Sequence, residues 1–216
     1  AVEAAAPGRV IVLLSLADGA DALVFRTTDA AAGREPVRPV AAQVAAGAPI
    51  PYPTYLRWRG LLATEPPRRP EPARPSASAA GRSEDWKFGF VASADRSSGV
   101  VHMPPARAPM GGGPIDDMEA RPMADAVGTV VTSTIDRLAY SPSPPIVFAV
   151  VDFDGGGRLP VELTDCDAGE IGIGTRVEMT FRRLFTADGI ANYFWKARPQ
   201  RDAAGAVVTT AAEAAG

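Results

Sequence analysis

Cysteine and histidine are almost missing from this chain, with one of each in 216 residues, Cys166 and His102. A single cysteine excludes an internal disulfide and fits a reducing cytoplasm. With one histidine, no Ser-His-Asp set can be assembled. No apolar run approaches the roughly 20 residues that cross a bilayer. Residues 10–16 are too short and wrongly flanked for a secretory signal. A net charge of −3 argues against a protein that lives by gripping phosphate backbones. The chain opens on alanine rather than methionine, as expected of a processed or excised piece of a longer polypeptide.

Glycine and proline are abundant, 21 of each, and they concentrate between residues 33 and 122, which predicts loops and linkers there. Regular structure is signalled most strongly over residues 126–199. Strand signals cover 126–138, 146–153, 158–164, 175–185 and 190–197. Asp154-Gly155-Gly156-Gly157 and Asp188-Gly189 supply turns. Gly155-Gly156-Gly157 is not a phosphate cradle, because no helix follows it. Three strands, a connector with one helical turn, then two strands predict a mainly β chain built on a five-stranded Greek-key barrel of the OB type. Val130, Ile135, Phe148, Val150, Val177, Met179 and Phe181 are its expected core.

Upstream, residues 9–16 and 20–27 read as a β-hairpin, which is unstable alone and must join another sheet. Residues 37–46 read as an Ala-rich helix ending at Gly47. Residues 54–63 read as a second helix, with Thr54 as N-cap and Tyr55, Trp58 and Leu62 on one packing face. Residues 64–83 form a Pro-rich linker of polyproline character. Its PxxP spacings, Pro67 with Pro70 and Pro72 with Pro75, occur commonly in such linkers. Trp86, Phe88 and Phe90 lie within five residues and predict a docked segment, since an exposed linker would not keep them.

The stretch PGRVIVLLSLADGADALVFRTTD, with Tyr55-Leu56-Arg57-Trp58-Arg59-Gly60 after it, resembles the last strands of the thiolase fold in HMG-CoA synthases. Further on, Asp95-Arg96-Ser97-Ser98-Gly99 and Pro109-Met110-Gly111-Gly112-Gly113 have the shape of two zinc knuckles. Two knuckles ahead of an OB barrel are similar to the zinc-ribbon and OB-fold proteins that accompany thiolases and HMG-CoA synthases. Residues 136–145 and 192–196 look typical of members linked to HMG-CoA-synthase-like enzymes. The resemblance implies five parts: a thiolase-fold tail over 1–63, a linker over 64–83, a degenerate zinc ribbon over 84–125, the barrel over 126–199 and a disordered tail over 200–216. The implied ligand positions are Asp95, Ser98, Pro109 and Gly112, none a cysteine, so no zinc is expected.

Cys166 sits between Asp165 and Asp167, which oppose its ionisation, so no catalytic residue is expected in this chain alone. Asp152, Asp154, Asp165 and Asp167 flank turns, where aspartate bonds its own backbone, and suggest no metal site. The resemblance implies an accessory module for an acyl-CoA enzyme, docking on a thiolase-fold or HMG-CoA-synthase-like partner and sharing its acyl-CoA path. No other cofactor and no membrane contact are expected. Contact is expected through His102, Tyr140, Pro142, Pro144 and Pro145, with Arg107 and Arg137 facing CoA phosphates. The competing reading is a single-stranded nucleic-acid binder using Arg176, Arg182, Arg183, Lys196, Tyr193 and Trp195. Acidic residues mixed among these disfavour it.

Overall fold

A computed structural model describes residues 5–31, 33, 39–45, 47–63, 65, 73–139, 141, 143–202 and 204–210. The chain divides into two units, Ala1–Tyr55 and Leu56–Gly216.

The first unit contains the expected hairpin, β1 (Val10–Leu16) and β2 (Ala20–Arg26), in unbroken antiparallel register from Val10↔Arg26 to Leu16↔Ala20. Thr27 fastens its mouth: the hydroxyl donates to the Ala6 carbonyl at 2.7 Å and accepts from Arg9 N–H at 2.9 Å. Both faces of the hairpin are apolar and exposed, with Val12, Leu14 and Val24 on one and Leu13, Leu23 and Phe25 on the other. Within the expected Ala-rich helix, α1 covers Val40–Ala45, and residues 37, 38 and 46 lie outside the described residues.

Helix α2 (Tyr52–Trp58) begins two residues earlier than expected. Pro51, not Thr54, caps it, its carbonyl accepting from Thr54 N–H at 2.9 Å and Tyr55 N–H at 3.2 Å. Pro53 is tolerated because a first turn needs no N–H donor there. The helix stops before Gly60, whose φ is 69°, so Leu62 is not on its face. Within the expected linker, residue 64 and residues 66–72 lie outside the described residues, among them Pro67, Pro70 and Pro72. Residues 77–81 of that linker are helical, α3 (Ala77–Gly81), with the Ser76 hydroxyl capping Ala79 N–H at 3.2 Å.

Helix α4 (Glu84–Gly89) ends at Phe90, which adopts φ 50°. Strands β3 (Val91–Asp95), β4 (Val101–His102) and β5 (Met118–Pro122) form a small antiparallel sheet in the order β4-β3-β5. This sheet, the ribbon sheet, occupies the segment that the sequence resemblance compares to a zinc ribbon.

The barrel follows: β6 (Val127–Asp136), β7 (Ile146–Phe153), β8 (Arg158–Glu162), β9 (Arg176–Ala187) and β10 (Ile190–Pro199), in the order β10-β9-β6-β7-β8. A parallel bridge between Leu163 and Ala197 closes β8 onto β10. This order with that closure is the OB barrel, and the chain is mainly β as expected. Asp188 and Gly189 both have positive φ, 50° and 74°, the geometry of the two-residue turn their sequence predicted. Between β8 and β9 the helical turn is a single 3-10 turn, Ala168–Glu170.

Three of the expected core residues are buried: Val130, Val177 and Met179. The others are corrected by the structure. On β7 the inward residues are Val147, Ala149, Val151 and Phe153, so Phe148 is exposed and Val150 is not on the core face. A continuous apolar run carries no alternation from which the face could be read. On β6 the register slips between Val130 and Thr132, leaving Val131 as a bulge that reverses the alternation. Ile135 pairs with buried Val147 yet is itself exposed at the strand end. Phe181 follows Met179 on the core face but lies beyond the barrel rim, 37% exposed.

The aromatic segment does dock. Phe90 is fully buried at one end of the barrel, stacked on Trp195 at 5.3 Å and edge-on to Phe153 at 6.1 Å. Trp86 covers it at 5.0 Å. The tail beyond β10 is not disordered over its described part. Gln200 N–H donates to the Arg176 carbonyl at 2.8 Å, and Arg176 N–H donates to the Val208 carbonyl at 2.8 Å.

Candidate docking surface

The β9–β10 hairpin is longer than the barrel needs. Strand β6 pairs with β9 only from Arg176 to Glu178, so the hairpin beyond it projects as an arm. Cross-strand partners share a face. Val177, Met179, Phe181 and Arg183 on β9 therefore face the same way as Pro199, Ala197, Trp195 and Tyr193 on β10. Burial declines along this face, from Val177 at 0% to Met179 at 8% to Phe181 at 37%. The apolar face of the core thus runs out onto the arm as a ledge.

On the ledge, Phe181 stacks on Tyr193 with centroids 5.7 Å apart and an interplanar angle of 18°. Trp195 lies 5.5 Å from Phe181, and Phe88 of α4 lies 6.2 Å from it on another side. Phe88 and Tyr193 are both exposed. Two cations border these rings. Lys87 Nζ stands 5.3 Å over the Phe88 ring, and Arg183 donates to the Trp58 carbonyl at 2.9 Å. Neither of those contacts is with a carboxylate. On the arm's opposite face Ala187 and Asn192 are buried, while Ile190 at the tip is exposed. The sequence named Arg183, Tyr193 and Trp195 only in the nucleic-acid reading, while alternation assigned Phe181 to the core and the aromatic cluster assigned Phe88 to a docked segment, so the ledge as a whole was not singled out.

The expected contact residues are dispersed. His102, on β4, is half-buried, and its Nε2 has no hydrogen-bond partner among the described residues. Arg107 is held by Asp116 through two bonds of 2.6 Å, which raise its affinity for its proton and lower that of the carboxyl. The ribbon packs on the turn after β7, where a Cβ on Gly157 would lie 2.7 Å from Met103 sulfur. That turn adjoins the start of β6, since Asp154 N–H donates to the Val127 carbonyl at 2.9 Å. Arg137, Pro144 and Pro145 follow the far end of β6, about 30 Å away along ten residues of strand. Arg137 and Pro144 are exposed. Tyr140 and Pro142 lie outside the described residues. Arg107 and His102 thus lie by one end of β6 and Arg137 by the other.

The turn at the first expected knuckle is held by a carboxylate. The buried Asp95 accepts from Ser97 N–H at 3.0 Å, from the Ser97 hydroxyl at 2.9 Å and from the Ser98 hydroxyl. The Ser98 hydroxyl does most to hold the Asp95 carboxyl below the usual range, with the Ser97 N–H next. In the second, Gly112 N–H bonds the Pro109 carbonyl at 3.2 Å. Among the described residues, no group of three His, Cys, Asp or Glu side chains is arranged to hold a metal ion. The turn aspartates are matched to arginines: Asp152 to Arg158, Asp154 to Arg176 and Asp165 to Arg182. Arg176, Arg182 and Lys196 thus have anionic partners, Lys196 pairing with Glu162.

Cys166 packs at the core margin, with its thiol pKa pushed up to about 11. Burial is the main cause, ahead of the Glu170 and Asp165 carboxylates. The sequence had named the aspartates and could not see the burial. At neutral pH this thiol stays protonated and is a poor nucleophile.

Residues 120–182 match the family model of the ChsH2 C-terminal OB-fold domain. The match covers β6 to β8, the connector and the first part of β9. A DUF35 domain-containing scaffold protein of Methanothermobacter thermautotrophicus is 38% identical over 58 residues, 26% of this chain and 44% of the relative. A protein of the same description from Methanocaldococcus jannaschii is 30% identical over 77 residues, 33% of this chain and 55% of the relative. The chain spans about half the length of the curated relatives it matches. Among solved structures, a chain of the Ltp2-ChsH2(DUF35) aldolase aligns with a TM-score of 0.43 and 22% identity, over 61% of this chain and 98% of that one. No helix among the described residues is long and apolar enough to cross a membrane.

Proposed function

We propose that this chain is an OB-fold scaffold module of an acyl-CoA-metabolising assembly, docking on a thiolase-fold or HMG-CoA-synthase-like partner and helping to form its acyl-CoA path. The observation that carries this reading is the similarity of the chain to DUF35 scaffold proteins and of residues 120–182 to the ChsH2 OB-fold domain. The chemistry of the chain supports it. Its only thiol is partly buried with a pKa of about 11, and its only histidine lies on the ribbon sheet. A scaffold needs neither as a catalyst. The exposed apolar hairpin β1–β2 supports it as well, since among the described residues no third strand pairs with it and both its faces are uncovered.

In this reading the partner supplies the catalytic groups, and this chain supplies surface. Arg137 is the better placed of the two proposed phosphate contacts, because an anion at Arg107 would have to displace Asp116. The loop carrying Arg137, Tyr140, Pro142, Pro144 and Pro145 is proposed as one contact. The metal site of the ribbon is proposed as lost. The test is co-expression with a thiolase-fold acyl-CoA enzyme of the same organism. A stable complex whose acyl-CoA turnover falls when this chain is omitted is the expected result. A chain that forms no complex, or a mixed single-stranded DNA pool bound with steep salt dependence, would overturn it.

A further inference from the structure

We infer that the aromatic ledge on the β9–β10 arm is a protein-docking hot spot, and that its partner presents an apolar surface rimmed by carboxylates. This inference rests on the scaffold reading and goes beyond it by naming a surface and the complementary chemistry.

Phe181 and Tyr193 on the arm, with Phe88 of α4 beside them, are large rings left open to solvent, whereas Ala187 and Asn192 on the arm's other side are buried. An arm that only needed to fold would be covered or polar on this face, since uncovered ring area forgoes its burial energy. The rings are held rigidly. Phe181 is fixed between Tyr193 and Trp195, and Trp195 is fixed against the buried Phe90. Rings ordered in the free chain lose little entropy on binding, and aromatic and Arg side chains dominate interface hot spots.

Charge selects the partner. Residues 179–187 and 189–200 hold no acidic residue. The turn aspartate, Asp188, is matched to Arg74 at 3.1 Å. Lys87 and Arg183 lie against a ring and a neutral carbonyl, so both retain positive charge beside the ledge. An acidic rim on the partner would offset that charge, while an apolar centre would cover the rings. The ledge is an open face rather than a cleft, which suits a protein surface better than a small ligand.

The experiment measures the affinity of the full chain for the thiolase-fold enzyme by sedimentation velocity. Tyr193→Ala, Phe88→Ala and Arg183→Glu are compared with Thr134→Ala, an exposed change on β6 away from the arm. Far-ultraviolet circular dichroism and thermal midpoints confirm that each variant folds. The expected result is affinity weakened tenfold or more by Tyr193→Ala and by Phe88→Ala, with Thr134→Ala silent. Arg183→Glu should weaken binding and flatten its salt dependence. A complex that forms normally in all variants overturns the inference and leaves the scaffold reading standing. Failure of the wild type to bind overturns both. Binding of an oligo(dT) probe with the same sensitivity to Tyr193→Ala overturns it in favour of a nucleic-acid surface.

Discussion

Lys196 and Glu162 form an ion pair across the seam where β10 closes on β8, with side chains only 11% and 22% exposed. The parallel bridge Leu163↔Ala197 and the bond from Thr164 N–H to the Ala197 carbonyl, 2.8 Å, lie beside it. Closing the barrel hides the edges of two strands, and this pair sits where they meet. Lys196→Ala leaves a half-buried carboxylate without its partner and should cost about 1 to 3 kcal/mol, between exposed and buried pairs. Arg158→Ala removes the more exposed pair with Asp152 and should cost under about 1 kcal/mol. Urea unfolding of both variants checks the contrast, and equal losses would refute the special role of the seam.

Phe90 should matter to stability more than any residue expected in the core from alternation. It is fully buried and touches Trp86, Phe153, Phe194 and Trp195. Phe90→Ala should cost about 3 to 5 kcal/mol. Phe148→Ala, at an exposed position, should cost less than about 1 kcal/mol. Thermal denaturation ranks the two, and the reverse order would place Phe148 inward.

Gly128 is required by close approach. A Cβ there would lie 2.4 Å from Val151 Cγ1 and 2.8 Å from the Asp152 carbonyl oxygen. The second atom is backbone and cannot step aside without moving β7. Gly128→Ala should destabilise the chain by about 2 kcal/mol or more. Gly19→Ala, which meets nothing within 4 Å, is the control and should be near neutral.

The Asp95 knuckle gives a pH prediction. Its carboxyl is held below its ordinary value, so the folded chain releases this proton more readily than the unfolded chain. The stabilisation is therefore present above about pH 4 and is lost as pH falls through the lower folded value. Ser98→Ala should lower the thermal midpoint at pH 7, and the gap from wild type should narrow on acidification. A gap that widens in acid would contradict the assignment. In the same preparation, elemental analysis tests the proposed loss of metal, and one zinc per chain retained through dialysis would overturn it.

Cys166 should resist alkylation. With a pKa of about 11, its thiolate fraction at pH 8 is about one in a thousand, against about one in four for an ordinary cysteine. Iodoacetamide labelling of the folded chain should be slowed about a hundredfold relative to the urea-unfolded chain. A thiolate titration centred below pH 9 would show that burial had been misjudged.

The sequence by itself determined what is local. Asp188-Gly189 favours a tight hairpin, and Val-rich runs between such turns become strands, so the five barrel strands were legible within a few residues. The composition likewise ruled out a disulfide within these 216 residues and showed no bilayer-spanning apolar run. Tertiary structure decided what depends on distant partners. The bulge at Val131 set which side of β6 faces inward, and the closure at Leu163 and Ala197 defined the barrel's interior. It left Phe148 outside, buried Phe90 at the barrel's end, and carried Phe181 past the rim, where its ring meets Tyr193 and solvent. Alternation fixes only that neighbouring residues oppose one another. Which face is inside depends on what the rest of the chain lays against it.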